Sequence, residues 1–134
     1  MLKDIQQPQV KDVAIAIIQE AGEDNELVWN VYILNLGNER IYGILITSRG
    51  YGNINKEQRE SSVLRHFIEE LPAQGFAKVE PIIEDLFELS NEYWVSYYKD
   101  KQIYDKKFIF PPNMITYENF VNIPLLGNKG VVVE

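Results

Sequence analysis

Chemistry has few places to start in this chain. His66 is the only histidine, and histidine is the side-chain type whose ordinary pKa lies nearest neutrality, the natural general base. A serine hydrolase would have to run through it. Ser61 and Ser62 are the nearest hydroxyls in sequence, but neither sits in a nucleophile-elbow pattern, and triads are defined by geometry rather than by adjacency along the chain. Beside Arg65, His66 reads as a structural or surface histidine. A hydrolase requires a pocket that brings His66, a carboxylate and a hydroxyl within hydrogen-bond reach.

Metal chemistry finds a similar shortage. With one histidine and no cysteine, a zinc or iron site would have to be built almost wholly of carboxylates. Glu80, Glu84, Asp85 and Glu88 could offer oxygens to calcium or magnesium, yet they lack the spacing and glycine of an EF-hand loop and read as a solvated acidic face. Arg49-Gly50-Tyr51-Gly52-Asn53 could cradle an anion with its N–H groups, but without the Gly-Lys-Ser/Thr ending of a P-loop it reads as a plain strand connection. No catalytic set, metal site or cofactor is expected. The remaining set suited to binding is aromatic: Tyr93, Trp94, Tyr97, Tyr98 and Tyr104. Exposed tyrosine and tryptophan bring rigid contact area with a polar tip, fit for protein partners or for stacking on sugars; buried, they are core and cross-strand pairs.

The chain that must position these groups has 134 residues, enough for one domain that buries its own core. Its hydrophobic fraction of 46% against 25% charged predicts a folded domain rather than a disordered one. A formal charge of -7 repels polyanions, and the one dense basic group, Lys99, Lys101, Lys106 and Lys107, is interleaved with Asp100 and Asp105. Neither nucleic acid nor an anionic membrane surface is an expected partner. The absence of cysteine excludes disulfides and thiolate chemistry. The opening Met1-Leu2-Lys3-Asp4-Ile5-Gln6-Gln7-Pro8 contains no apolar leader core, and no segment is long enough to span a bilayer, so the expected compartment is the cytoplasm.

Alternation supplies the elements. Residues 11–20 place Val13, Ile15 and Ile17 on one face and Ala14, Ala16 and Ile18 on the other. Residues 27–36 place Leu27, Trp29, Val31 and Ile33 opposite Val28, Tyr32, Leu34 and Leu36, apolar on both sides as in a strand covered on both faces. Residues 40–48 read as its partner, joined to it at Gly37-Asn38-Glu39, with Gly43 marking a bulge or a close contact. Residues 49–55 read as a loop. Residues 56–71 are ambiguous: Val63, Leu64, Phe67, Ile68 and Leu71 recur at helical spacing, with a capping-box start at Asn55 and Gln58 and a stop at Pro72, but an extended reading is also open. Residues 75–83 read as a strand whose Pro81 marks an end or an edge. Residues 92–99 and 102–110 form a hairpin through Asp100-Lys101, and the tail from Met114 passes Ile123-Pro124-Leu125-Leu126 to a short strand, Val131-Val132-Val133. The expected fold is mainly β, an antiparallel β-sandwich with Ig-like connection as one form of it, or α+β if residues 56–71 are helical.

The segments Thr47-Ser48-Arg49-Gly50-Tyr51-Gly52, Ser62-Val63-Leu64-Arg65-His66, Asn91-Glu92-Tyr93-Trp94-Val95-Ser96-Tyr97-Tyr98, Tyr104-Asp105-Lys106-Lys107-Phe108 and Ile123-Pro124-Leu125-Leu126 together resemble a family of small uncharacterised bacterial proteins. The resemblance covers nearly the whole chain. Some members are labelled phenylalanyl-tRNA synthetase alpha subunit, an activity that needs an ATP-binding sheet with triphosphate-holding arginines and a Gly-rich segment, neither of which the chain displays. The resemblance therefore implies a family and no functional residues. The leading expectation is a non-enzymatic module that acts through protein contacts or self-association. The alternatives are a carbohydrate- or small-ligand-binding domain that uses Trp94 and the tyrosines, and a hydrolase that uses His66.

Overall fold

Side chains that alternate between two faces, one or both of them apolar, form strands along most of the described residues. The structure, a computed structural model, describes residues 8–134; the segment before them, where a leader was sought, lies outside the described residues. The strands are β1 (Val13–Ala21), β2 (Leu27–Asn35), β3 (Ile41–Ile54), β4 (Glu57–Glu60), β5 (Leu64–Leu71), β6 (Gly75–Ile82), β7 (Ser90–Lys99), β8 (Gln102–Phe110), β9 (Val121–Asn122) and β10 (Lys129–Val133). Every pairing is antiparallel. One sheet runs β6-β2-β1-β10-β9; in the other, β7 lies between β3 and β8, and the far edge of β3 is shared by β5 and β4. The described residues include no α-helix, only 3-10 turns at Glu84–Leu86 and Tyr117–Asn119. The mainly β expectation holds, as an open sandwich, and the α+β alternative falls away.

The core fills the gap between the sheets. Val13, Ile15 and Ile17 of β1 and Trp29, Val31 and Ile33 of β2 share a cluster with Ile44 and Ile46 of β3, Tyr93, Val95 and Tyr97 of β7, and Phe108 and Phe110 of β8. Each such side chain contributes about 1.5–3 kcal/mol on burial. The other face of the first sheet is covered too. Ala14, Ala16, Ile18 and Leu34 pack there with Ile123, and Leu126 and Val132 close over them. Small alanines on β1 leave room for this return of the chain.

Two sequence readings need correction, and a third, left open between helix and strand, is resolved. Residues 27–35 and 41–48 are not paired with each other: β2 pairs with β1 and β6, whereas β3 belongs to the second sheet, so Gly37-Asn38 carries the chain from one sheet to the other. Residues 49–54 are not a loop but the second half of the long β3, held by β4 on one side and β7 on the other. Residues 56–71 are extended throughout their structured parts. Asn55 and Lys56, both with positive φ (53° and 67°), form the two-residue turn into β4 rather than a helix cap. The helix-like spacing in β5 arose because the strand carries apolar groups on both faces.

Other local signals match their structure. Pro81 lies on β6, an edge strand, opposite Asn30. Asp100 and Lys101, again both at positive φ, turn β7 into β8. Gly43, at φ 57°, sits where the β3–β7 register shifts, and a Cβ there would lie 3.1 Å from the Tyr98 ring. It is both bulge and close contact.

Candidate functional site

Strand parity sorts the five aromatic candidates. Tyr93 and Tyr97 point into the core, 2% and 1% exposed, so they are corrected from surface candidates to packing residues. Tyr104 lies on the same inward side, half-buried and stacked on Tyr97 with ring centroids 5.3 Å apart. Trp94 and Tyr98 point outward. They do not stand alone, because the register of the second sheet brings Leu45 beside Phe67, Trp94 between Thr47 and Lys107, and Tyr98 between Tyr42 and Ile103. Leu45, Phe67, Trp94, Tyr98, Ile103 and Ile109 are between 39% and 67% exposed.

This outer face has a definite electrostatic arrangement. Its central row reads Arg65, Thr47, Trp94, Lys107 across four strands. The Lys107 ammonium lies 4.8 Å from the Trp94 ring centroid, a cation–π contact. Arg40 covers Tyr42, which stacks on Tyr98 at 5.7 Å. Among the described residues, Arg40 pairs with Glu70 and Arg49 with the buried Glu92, while no ion pair engages Arg65 or Lys107. Asp105 and Glu69 share the face by strand alternation, so the surface is aromatic and of mixed charge, with its two cations in the central row. Sequence reasoning found Trp94 and Tyr98 but missed Leu45, Phe67 and Ile103, whose shared face follows from which strands pair.

A second constellation lies at the open side of the sandwich. On β6, an irregularity in the pairing with β2 sets Lys78 opposite Tyr32 and Glu80 opposite Val31, leaving Val79 as the extra residue. Such a bulge re-aims side chains, and here Val79 joins the core while Glu80 reaches the second sheet. Glu80 Oε1 accepts hydrogen bonds from Ser48 Oγ at 2.8 Å and His66 Nε2 at 2.6 Å; Oε2 has the Tyr93 hydroxyl at 3.4 Å. Burial, then the adjacent Glu80 charge and hydrogen bond, push the Tyr93 phenol far above its ordinary range.

His66, a carboxylate and a hydroxyl therefore do meet, but the wiring differs from a hydrolase. Ser48 and His66 both donate to the same carboxylate oxygen, so the imidazole is not placed to take the serine proton. A cleft of about 270 Å³ adjoins the cluster, walled by Ser48, Glu80 and Tyr93 together with Leu64, Ile82 and Ile83; His66 is not among its lining residues. Ser61 is engaged structurally, its Oγ accepting from the Gly50 N–H at 2.6 Å and donating to the Ser62 carbonyl. The acidic set is dispersed as well. Glu84 accepts a hydrogen bond from the Trp29 indole while Glu80 points between the sheets, and no group of three potential metal ligands occurs among the described residues.

The class defined by this geometry is an antiparallel two-sheet β domain with one sheet face covered by its own chain and the other bearing exposed aromatics. No protein-family model and no curated protein matches the sequence.

Proposed function

We propose that the protein is an interaction module that docks an acidic, apolar protein segment on the outer face of its second sheet. The observation that carries this reading is the shared outward face of Leu45, Phe67, Trp94, Tyr98, Ile103 and Ile109, left exposed while the β1 part of the first sheet's outer face is covered by the chain itself. Contiguous apolar patches of this kind mark contact sites, and tryptophan, tyrosine and arginine are the side chains that dominate contact energies. Charge selects the occupant. An isologous dimer crossing at the central row would set Arg65 and Lys107 against their own copies, whereas a partner whose acidic groups align with that row, and whose apolar groups lie over Leu45 and Phe67 away from Asp105 and Glu69, meets both cations in a defined register.

The test is titration of acidic peptides that alternate Asp or Glu with Leu or Phe, with light scattering in parallel. The expected result is a monomeric protein that binds these peptides with salt-dependent affinity, weakened about tenfold or more by Trp94→Ala and by Arg65→Glu. A dimer that buries Trp94, or equal binding of basic peptides, overturns the assignment. Saturable binding of glycans that is lost with Trp94→Ala would replace it with the carbohydrate reading, although Lys107 already occupies one face of the indole.

A further inference from the structure

We propose that the cleft beside Glu80 binds a primary ammonium group carried on a short apolar stem. This site is separate from the outer face of the second sheet and does not depend on the docking assignment. The Glu80 side chain is only 10% exposed, and among the described residues its one ion-pair partner is His66. A buried carboxylate is costly unless its oxygens are well supplied with donors, and the supply here is uneven. Oε1 takes two short hydrogen bonds, whereas Oε2 has only the long 3.4 Å contact from Tyr93. A carboxylate offers about four lone-pair positions, so Oε2 of this cleft-lining residue retains acceptor capacity.

The form of that capacity selects the ligand. A guanidinium fork prefers both carboxylate oxygens at once, and Oε1 is already occupied by Ser48 and His66. A single ammonium suits one free oxygen. Leu64, Ile82, Ile83 and Leu86 supply apolar wall in the same cleft of about 270 Å³, which fits a stem of several methylenes; Arg49 also lines it, its charge engaged by Glu92. The bulge at Val79 that turns Glu80 inward is the backbone feature that creates the site.

Both a free alkylamine and a lysine side chain present this chemistry. The experiment follows backbone amide NMR shifts of the whole protein during titration with pentylammonium chloride, with Nα-acetyl-lysine methylamide, and with 1-pentanol as the uncharged comparison. The expected result is saturable shifts at Ser48, Glu80 and Tyr93 with pentylammonium and none with pentanol. Binding of the lysine derivative as well identifies a side chain as an acceptable source, and binding of pentylammonium alone identifies free amines; each supports the site. Glu80→Gln weakens binding about tenfold or more. Should that variant fold poorly, Ile83→Lys at the exposed rim places a like charge beside the cleft and also weakens binding about tenfold, while Trp94→Ala leaves it unchanged. Equal shifts with pentanol, no saturable shifts with either amine, or unaltered amine binding in Ile83→Lys would each overturn the inference.

Discussion

Two tyrosines on one strand should respond to the same substitution with opposite signs. Tyr93 and Tyr97 are both inward-facing residues of β7 with rings in the core, but the Tyr93 hydroxyl contacts Glu80 whereas the buried Tyr97 hydroxyl has no partner among the described residues. An unpartnered buried polar group costs about 1–3 kcal/mol. Tyr97→Phe removes that oxygen and retains the ring that stacks on Tyr104; the expected gain, at the lower end of the range, is about 1 kcal/mol. For a chain of this length that corresponds to a rise of about 3–5 °C in Tm. Tyr93→Phe instead withdraws a donor from a buried carboxylate whose Oε2 has no other hydrogen bond. The 3.4 Å contact is long, so the expected loss is also about 1 kcal/mol rather than the larger value for a short charged hydrogen bond. Urea unfolding of both variants against the parent, with a common denaturant slope, reads the two signs directly. If Tyr97→Phe loses 1 kcal/mol or more, its hydroxyl is serving a water in the adjoining hollow of about 150 Å³ beside Asp12 and Asn35, and the reasoning fails.

Alkaline titration gives a further expectation. Burial first, and the nearby Tyr104 and Asp12 after it, push Tyr97 up to about 12, and burial together with Glu20 does the same to Tyr32. These groups keep their protons in the folded state after the unfolded chain begins to lose them near pH 10, so the unfolded state binds fewer protons there. Their stabilising contribution is fully present below pH 10 and is lost as pH rises to about 12; a flat unfolding free energy across that window would contradict the assignment. Ile123→Ala should uncover the alanine face of β1 and cost about 2–5 kcal/mol, measured by denaturant midpoint. A cost below 0.5 kcal/mol would show that the covering segment contributes little.

The candidate site was legible only in pieces. Alternation along an extended chain puts Trp94 and Tyr98 on one face, because side-chain direction reverses at each residue. It could not say that Phe67 lies beside Leu45, since these residues are 22 positions apart in sequence and meet through the β3–β5 register. His66 was visible as the sole histidine and Glu80 as one acid among several. Their meeting depended on a bulge in β6, which changes parity at one residue and carries no distinctive composition around Val79.

Local chemistry by itself determined that this chain is extended, which faces of β1 and β2 are apolar, and where short turns such as Asp100-Lys101 fall. Steric alternation and positive-φ tolerance act within a few residues and leave their mark in the sequence. Only the tertiary structure decided that β2 and β3 belong to different sheets, that β3 continues to Ile54, and that residues 57–60 and 64–71 are strands. It also decided that the tail covers one sheet face and leaves the other exposed. Those outcomes rest on hydrogen-bond partners and burial contributed by distant segments, and a strand with apolar groups on both sides satisfies its local preferences equally well in either sheet.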